Sequence, residues 1–227
     1  MAERKWIYVL RGGGESHASF GARMRTDISR RLLELQPARL DLTVTDAPPP
    51  KVTLFPFKRE PIAIFNIHAD VDDPARFEAV LEDAGGSLSG YAVEESYPVA
   101  FDQTWRDGEA TPTPILLTML RKKAGVSEEE FIERWHHGHT PLSLEIHPLC
   151  YYQRNVVRGA VTEGAPPSDG IVIEACPTRG DLLNPTRFFG GALKMVPNML
   201  RVAKDINGFL DMKKTETYYA TEYRLRS

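Results

Sequence analysis

The 227-residue sequence predicts an α+β fold, two ferredoxin-like βαββαβ units in one chain packed sheet to sheet. Three observations lead there. The stretch "GESHASFGARMRTDISRRLLELQP" (14–37) lies without a gap over "GVSEEEFIERWHHGHTPLSLEIHP" (125–148), an offset of 111 residues, with glycine, serine, phenylalanine and proline matching at four places. Short apolar runs flank both stretches in the same order. Between the halves, "RDGEATPTP" (106–114) interrupts the pattern with Gly, Pro and charge, which sets units at 1–107 and 112–227. A sheet carrying both helices on one face leaves the other face bare, and a second copy covers it.

In chain order, "KWIYVLR" and "PILLTMLRKK" read as the first strands of the two units, followed by the aligned helices. "RLDLTVTD" and "CYYQRNVVRG" are second strands, "PIAIFNIHAD" and "GIVIEAC" third. The second helix of the first unit spans 73–83; its counterpart is a longer stretch, 178–210, interrupted by Gly and Pro. "GYAVEESYPVAF" and "TETYYATEYRLR" close the units as fourth strands.

At 42% hydrophobic the chain can bury one large core or two small ones. A net charge of −3 with interspersed signs shows no basic stripe for phosphates, so nucleic acid is not an expected partner. No apolar run is long enough to span a bilayer, and the N-terminus has no apolar signal core; no membrane partner and a cytoplasmic location are expected. Cys150 and Cys176 are too few for a disulfide framework and lack metal spacing, so they read as two buried thiols.

Four of the six histidines fall in "FIERWHHGHTPLSLEIHP" (131–148). Ser127 and Glu130 have capping-box spacing, with Val126 and Phe131 placed as a hydrophobic staple. At about 100° per residue, Phe131, Trp135, Gly138, His139, Leu142 and Ile146 share one face, while Glu130, Glu133, Arg134 and His137 share the other. His136 and His147 lie at the margin, so only His139 points at the sheet. Pro141 predicts a kink after His139 and a restart with Thr140 as cap. His136 and His139 are i and i+3 with no third ligand at a metal spacing, and no metal is expected.

The residue that matches His139 in the first copy is Ile28, so packing does not require an imidazole here. The second strand shows the same asymmetry. Leu40, Leu42 and Val44 correspond to Tyr151, Gln153 and Asn155, a hydrogen-bonding face expected to oppose the helix beside Trp135 and Phe131; a slip of one residue puts Tyr152 there instead. The alternative for His139 is a core histidine that holds a backbone carbonyl freed by Pro141.

The spacing of Phe131, Trp135 and His139, then Tyr152 with Asn155, and late Asp205 with Phe209 and Glu222, resembles the EthD family of dimeric α/β-barrel proteins over 115–225. The first half resembles the same fold but lacks the histidine, as a degenerate copy would. The resemblance implies an intramolecular dimeric α/β barrel with self-association of the whole chain left open. It also implies a pocket between helices and sheet, often without a cofactor, for aromatic or polyketide-like molecules. On these grounds the expected function is a cofactor-independent lyase, isomerase or cyclase, with monooxygenase chemistry also within the family. His139 would move a proton on a small hydrophobic molecule, and Phe131, Trp135, Tyr151 or Tyr152, Gln153 and Asn155 would contact it. No cofactor is expected. A non-catalytic metabolite-binding or oxygenase-accessory protein is the second reading, and a haem-binding barrel with His139 as axial ligand the third.

Overall fold

The computed structural model describes residues 4–53, 55–70 and 74–227. Eight antiparallel strands close into one barrel: β1 (Arg4–Arg11), β2 (Arg39–Val44), β3 (Ile62–Ala69), β4 (Ser87–Val99), β5 (Ile115–Leu120), β6 (Tyr151–Ala160), β7 (Gly170–Ala175) and β8 (Glu216–Arg226). Their order around it is β1-β3-β2-β8-β5-β7-β6-β4. The sheets of the two halves therefore do more than face each other. Pairing of β2 with β8 and of β4 with β6 joins them edge to edge, which leaves no open edge among the described strands.

Closure explains why β3, "IAIFNIHA", is buried at every position rather than alternating. Ile62 and Ile64 point into the barrel with Ile7, Val9, Ile115, Leu117, Ile171 and Ile173. Ala63, Phe65 and Ile67 point outward to helices with Phe20, Met24, Ile28 and Leu32. The expected start of the first unit's second helix at Asp73 lies outside the described residues; the helix, α3, spans Ala75–Glu82.

The two aligned helices share an irregularity that residue spacing did not predict. In the first half, α1 (His17–Arg23) continues through a π-helical segment, Met24–Ile28, into α2 (Ser29–Glu34). In the second, α4 (Glu128–Glu133) continues through Arg134–His139 into α5 (Thr140–Ile146). The widened turn stands in place of the kink expected at Pro141. Thr140 is helical, with φ −59° and ψ −50°, and is not a cap. Its hydroxyl donates to Trp135 O at 2.9 Å, as Ser29 does to Met24 O at 2.7 Å, so a carbonyl left over by the wide turn is satisfied by a side chain in both halves. Ser127 caps the helix as expected, accepting from Glu130 N–H. The other arm of the capping box is missing, because the Glu130 carboxylate pairs with Arg134.

After β7 the chain forms α6 (Arg179–Leu183), α7 (Pro185–Phe188) and α8 (Met195–Phe209). None of the described helices is long and apolar enough to cross a membrane.

Candidate functional site

A cavity of about 380 Å³ lies between the outer face of β5, β6 and β7 and the helical layer of the Arg134–His139 segment, α5 and α8. Its walls are apolar: Leu116, Val172, Phe188, Phe189, Met199, Val202, Ile206 and Phe209. Phe55 and Pro56, from the segment between β2 and β3, reach across to line it, so the first half contributes to its wall. Trp135 anchors the inner end. It is fully buried, and its ring lies so close over Gly170 that a Cβ there would meet it at 2.6 Å. Phe131 packs behind it, 5.4 Å between ring centroids, and supports the wall rather than lining it.

His139 faces this cavity, as the helix face predicts. Its Nδ1 lies 2.7 Å from Asp205 Oδ2 on α8, and its Nε2 lies 3.2 Å from Ser143 Oγ one turn onward. A carboxylate only accepts, so Nδ1 carries a proton; in the neutral ring Nε2 is then the acceptor, here of the serine hydroxyl. The alternative role of holding a backbone carbonyl freed by Pro141 is thus not what the imidazole does; the carbonyl left by the wide turn belongs to Trp135 and is bonded by Thr140.

Strand β6 corrects the expected contact set. Tyr152 lines the cavity, its hydroxyl accepting from Trp135 Nε1 at 3.3 Å. Tyr151, Gln153 and Asn155 point the other way, into the barrel. Tyr151 stacks on Phe101 at 4.2 Å between ring centroids; Gln153 donates to Glu95 and Tyr97, both at 3.0 Å; Asn155 accepts from the buried Lys5 ammonium at 2.7 Å. The gapless offset that holds through the helices fails in the connection after them. Leu40 faces the helices, yet Tyr151, 111 residues later, faces inward, and a slip of one residue exchanges the faces of a strand.

Two further groups line the cavity. Glu174, on β7 beside Tyr152, is the acid among its described lining residues, and no lysine or arginine is among them. Burial in these apolar surroundings pushes its carboxyl up to about 7, against a smaller downward pull from His139. Glu174 also helps to push the Tyr152 hydroxyl and the Cys176 thiol, both already raised by burial, further up. His147 stacks on Phe188 at 3.9 Å and donates from Nδ1 to Phe188 O at 3.0 Å; burial holds it down at about 4, so it is neutral at ordinary pH. His137 is solvated, and half-buried His136 is held down at about 4, mainly by burial.

Residue spacing missed Glu174, Ser143 and the role of Asp205. A signal was present in each helix or strand. Glu174 is the one charge in "GIVIEAC", and Asp205 breaks the apolar stripe of Val202, Ile206 and Phe209. The position of Ile28 in the first half is closed, with Ile28 packed among Phe20, Met24, Leu40 and Leu42. Cys176 is buried and Cys150 half-buried, and both are free thiols. Among the described residues no group of three or more His, Cys, Asp or Glu is placed to hold a metal.

No family model matches the chain, and no curated protein matches it. Solved structures do match its fold along nearly the whole length. A protein from Fusobacterium nucleatum described as a "putative monooxygenase" is similar with a TM-score of 0.53 and 10% identity, over 99% of this chain and 93% of that one. A second so described, from Lactobacillus acidophilus, gives 0.50 and 9%, over 99% and 94%. An "anthrone oxidase-like protein" gives 0.57 and 7%, over 98% and 93%. At these identities the likeness is one of fold alone, that of the closed eight-stranded barrel with its outer helices.

Proposed function

We propose that this protein is a cofactor-independent acid/base enzyme acting on a small hydrophobic, aromatic or polyketide-like molecule bound beside His139. The observation that carries the reading is the Asp205–His139 pair, whose anchored Nδ1 leaves an acceptor nitrogen at an apolar cavity. A ligand C–H or O–H approaching Nε2 takes the place of the Ser143 hydroxyl. Asp205 holds the ring in orientation and stabilises the imidazolium that forms, while Phe188, Phe189, Phe209 and Trp135 exclude water and match a flat ring system. Return of the proton at another atom is isomerisation; loss of a hydroxyl after proton removal is a lyase reaction; attack of the carbanion on a second carbonyl is cyclisation.

The name of one structural neighbour, an anthrone oxidase-like protein, supports aromatic ketones with an acidic C–H as the substrate class. We read the chain as an EthD-type intramolecular pseudo-dimer whose first half, 1–107, is the degenerate copy of 112–227. The matched π-helical segments with their matched hydroxyl bonds support that duplication. Binding without turnover, as an oxygenase accessory, is the second reading, and one observation favours it: Ser143 already occupies Nε2. The haem reading needs that same nitrogen for iron and gains no support from it.

Anthrone tests the proposal, because its methylene proton is acidic and its consumption in air is followed by absorbance and oxygen uptake. Conversion accelerated by the parent and abolished by His139→Ile supports acid/base catalysis. Binding of anthrone with no acceleration of its tautomerisation or oxidation over buffer favours the accessory reading and refutes turnover.

A further inference from the structure

Glu174 has no part in the reading above, yet its place is unusual. It stands on β7, paired across the strands with Tyr152 and Leu116, and its carboxyl opens on the same cavity as His139. An acid in such a place is ordinarily bonded to a cation or to backbone N–H groups. Here no cation lines the cavity among its described residues. The titratable groups that face Glu174 are His139 from the helix, Tyr152 from β6, its strand neighbour Cys176, and His147 across the cavity.

We propose that Glu174 is a second catalytic residue of this cavity, the acid that protonates a ligand's carbonyl oxygen while His139 removes a proton from the adjacent carbon. The inference rests on the acid/base reading of His139 and narrows it to ketones whose oxygen points at β7. The step balances without a co-reactant. The C–H electron pair becomes the C=C bond, and the C=O pair moves to oxygen, which takes the Glu174 proton. His139 becomes imidazolium and Glu174 carboxylate, so an ion pair forms across the cavity as the enol forms, each charge stabilising the other. Returning the His139 proton at a different carbon and the enol proton to Glu174 completes an isomerisation. The held-up carboxyl, half protonated near neutrality, suits an acid that gives and regains a proton.

The test compares 1-tetralone, a bicyclic ketone that only accepts hydrogen bonds, with tetralin, the same rings without oxygen. Calorimetric titration of the full chain at pH 5.5 and pH 8.5 is expected to show about tenfold preference for the ketone at the lower pH, where Glu174 donates, and loss of that preference at the higher. In Glu174→Gln the amide donates at both, so the preference stays and its pH dependence disappears; in Glu174→Leu it is absent throughout. The same pH dependence in parent and Glu174→Gln would overturn the assignment, as would equal affinity for the two probes at pH 5.5 or failure of both to bind. Deuterium exchange at the carbon beside the tetralone carbonyl separates the two claims. Exchange unchanged by His139→Ile sinks the base reading even where Glu174 governs binding. Exchange abolished by His139→Ile but untouched in rate and pH profile by Glu174→Gln sinks only the present inference.

Discussion

Replacing His139 by isoleucine, the residue the first half already carries at this place, should remove activity while leaving the fold intact. The structure sets the size of the effect. The imidazole and Asp205 side chains are 18% and 26% exposed, so losing their bond costs about 1 kcal/mol once solvent compensation is allowed for. The Ser143 hydroxyl, left by Nε2, is buried but can turn to a carbonyl of its own helix. An isoleucine against Phe209 and Trp135 recovers roughly 1 kcal/mol by apolar burial. The net change should lie within about 1 kcal/mol, or about 2–4 °C in Tm for a chain of this size. Trp135→Ala sets the contrast: its ring is fully buried, and truncation should cost about 3–5 kcal/mol and lower Tm by roughly 10 °C. Differential scanning calorimetry of parent, His139→Ile, Trp135→Ala and the solvated control His137→Ala reads all four. A fall for His139→Ile as large as that for Trp135→Ala would make His139 a structural residue and not a pocket base.

Glu174 is raised to about 7 in the fold, so its native state holds a proton that the unfolded chain gives up, and stability is lost as pH rises from about 4.5 to 7. Because the carboxyl reaches the cavity, Glu174→Gln should recover on the order of 1–2 kcal/mol at pH 8 and nothing at pH 4, read by urea unfolding at the two pH values. His147 has the opposite sign. Held neutral down to about 4, it contributes stability that is lost as pH falls below about 6.5, so His147→Phe should make the acid-side decline shallower by on the order of 2 kcal/mol; an unchanged slope would place His147 in solvent. Separate chains 1–107 and 112–227 expose the edges of β2 and β4 in one and of β6 and β8 in the other; each should self-associate and the two should combine on mixing, as size-exclusion chromatography would show, whereas two stable monomers would contradict the pseudo-dimer.

How far these features were legible in the sequence depended on which contacts decide them. The strands and the aligned helices follow from local periodicity, and His139 is correctly placed because stepping along a helix needs nothing beyond the helix itself. The π-helical segments were not legible, since residues such as "RWHHGH" satisfy an ordinary helix equally well and only the Thr140 and Ser29 bonds mark the wide turn. Tyr151, Gln153 and Asn155 were misplaced by one residue in a connection, an error that periodicity cannot detect because both faces of a covered barrel strand are buried. Their polar character belongs to the barrel interior, where Lys5, Glu95 and Tyr97 meet them. Glu174 and the role of Asp205 escaped for a different reason: each is meaningful only beside His139, and that proximity comes from how α8 and β7 pack, not from sequence spacing.

Proton removal by His139 requires above all that its Nε2 be an acceptor directed at the cavity. Long-range nitrogen–proton correlation NMR on histidine-labelled protein at pH 8 reads this without any substrate, the His139 signals being identified by their loss in His139→Ile. Expected are the tautomer with the proton on Nδ1, an unprotonated Nε2, and a shift of the Nε2 resonance when anthrone is added. A proton on Nε2, or an Nε2 resonance indifferent to the ligand, would contradict it.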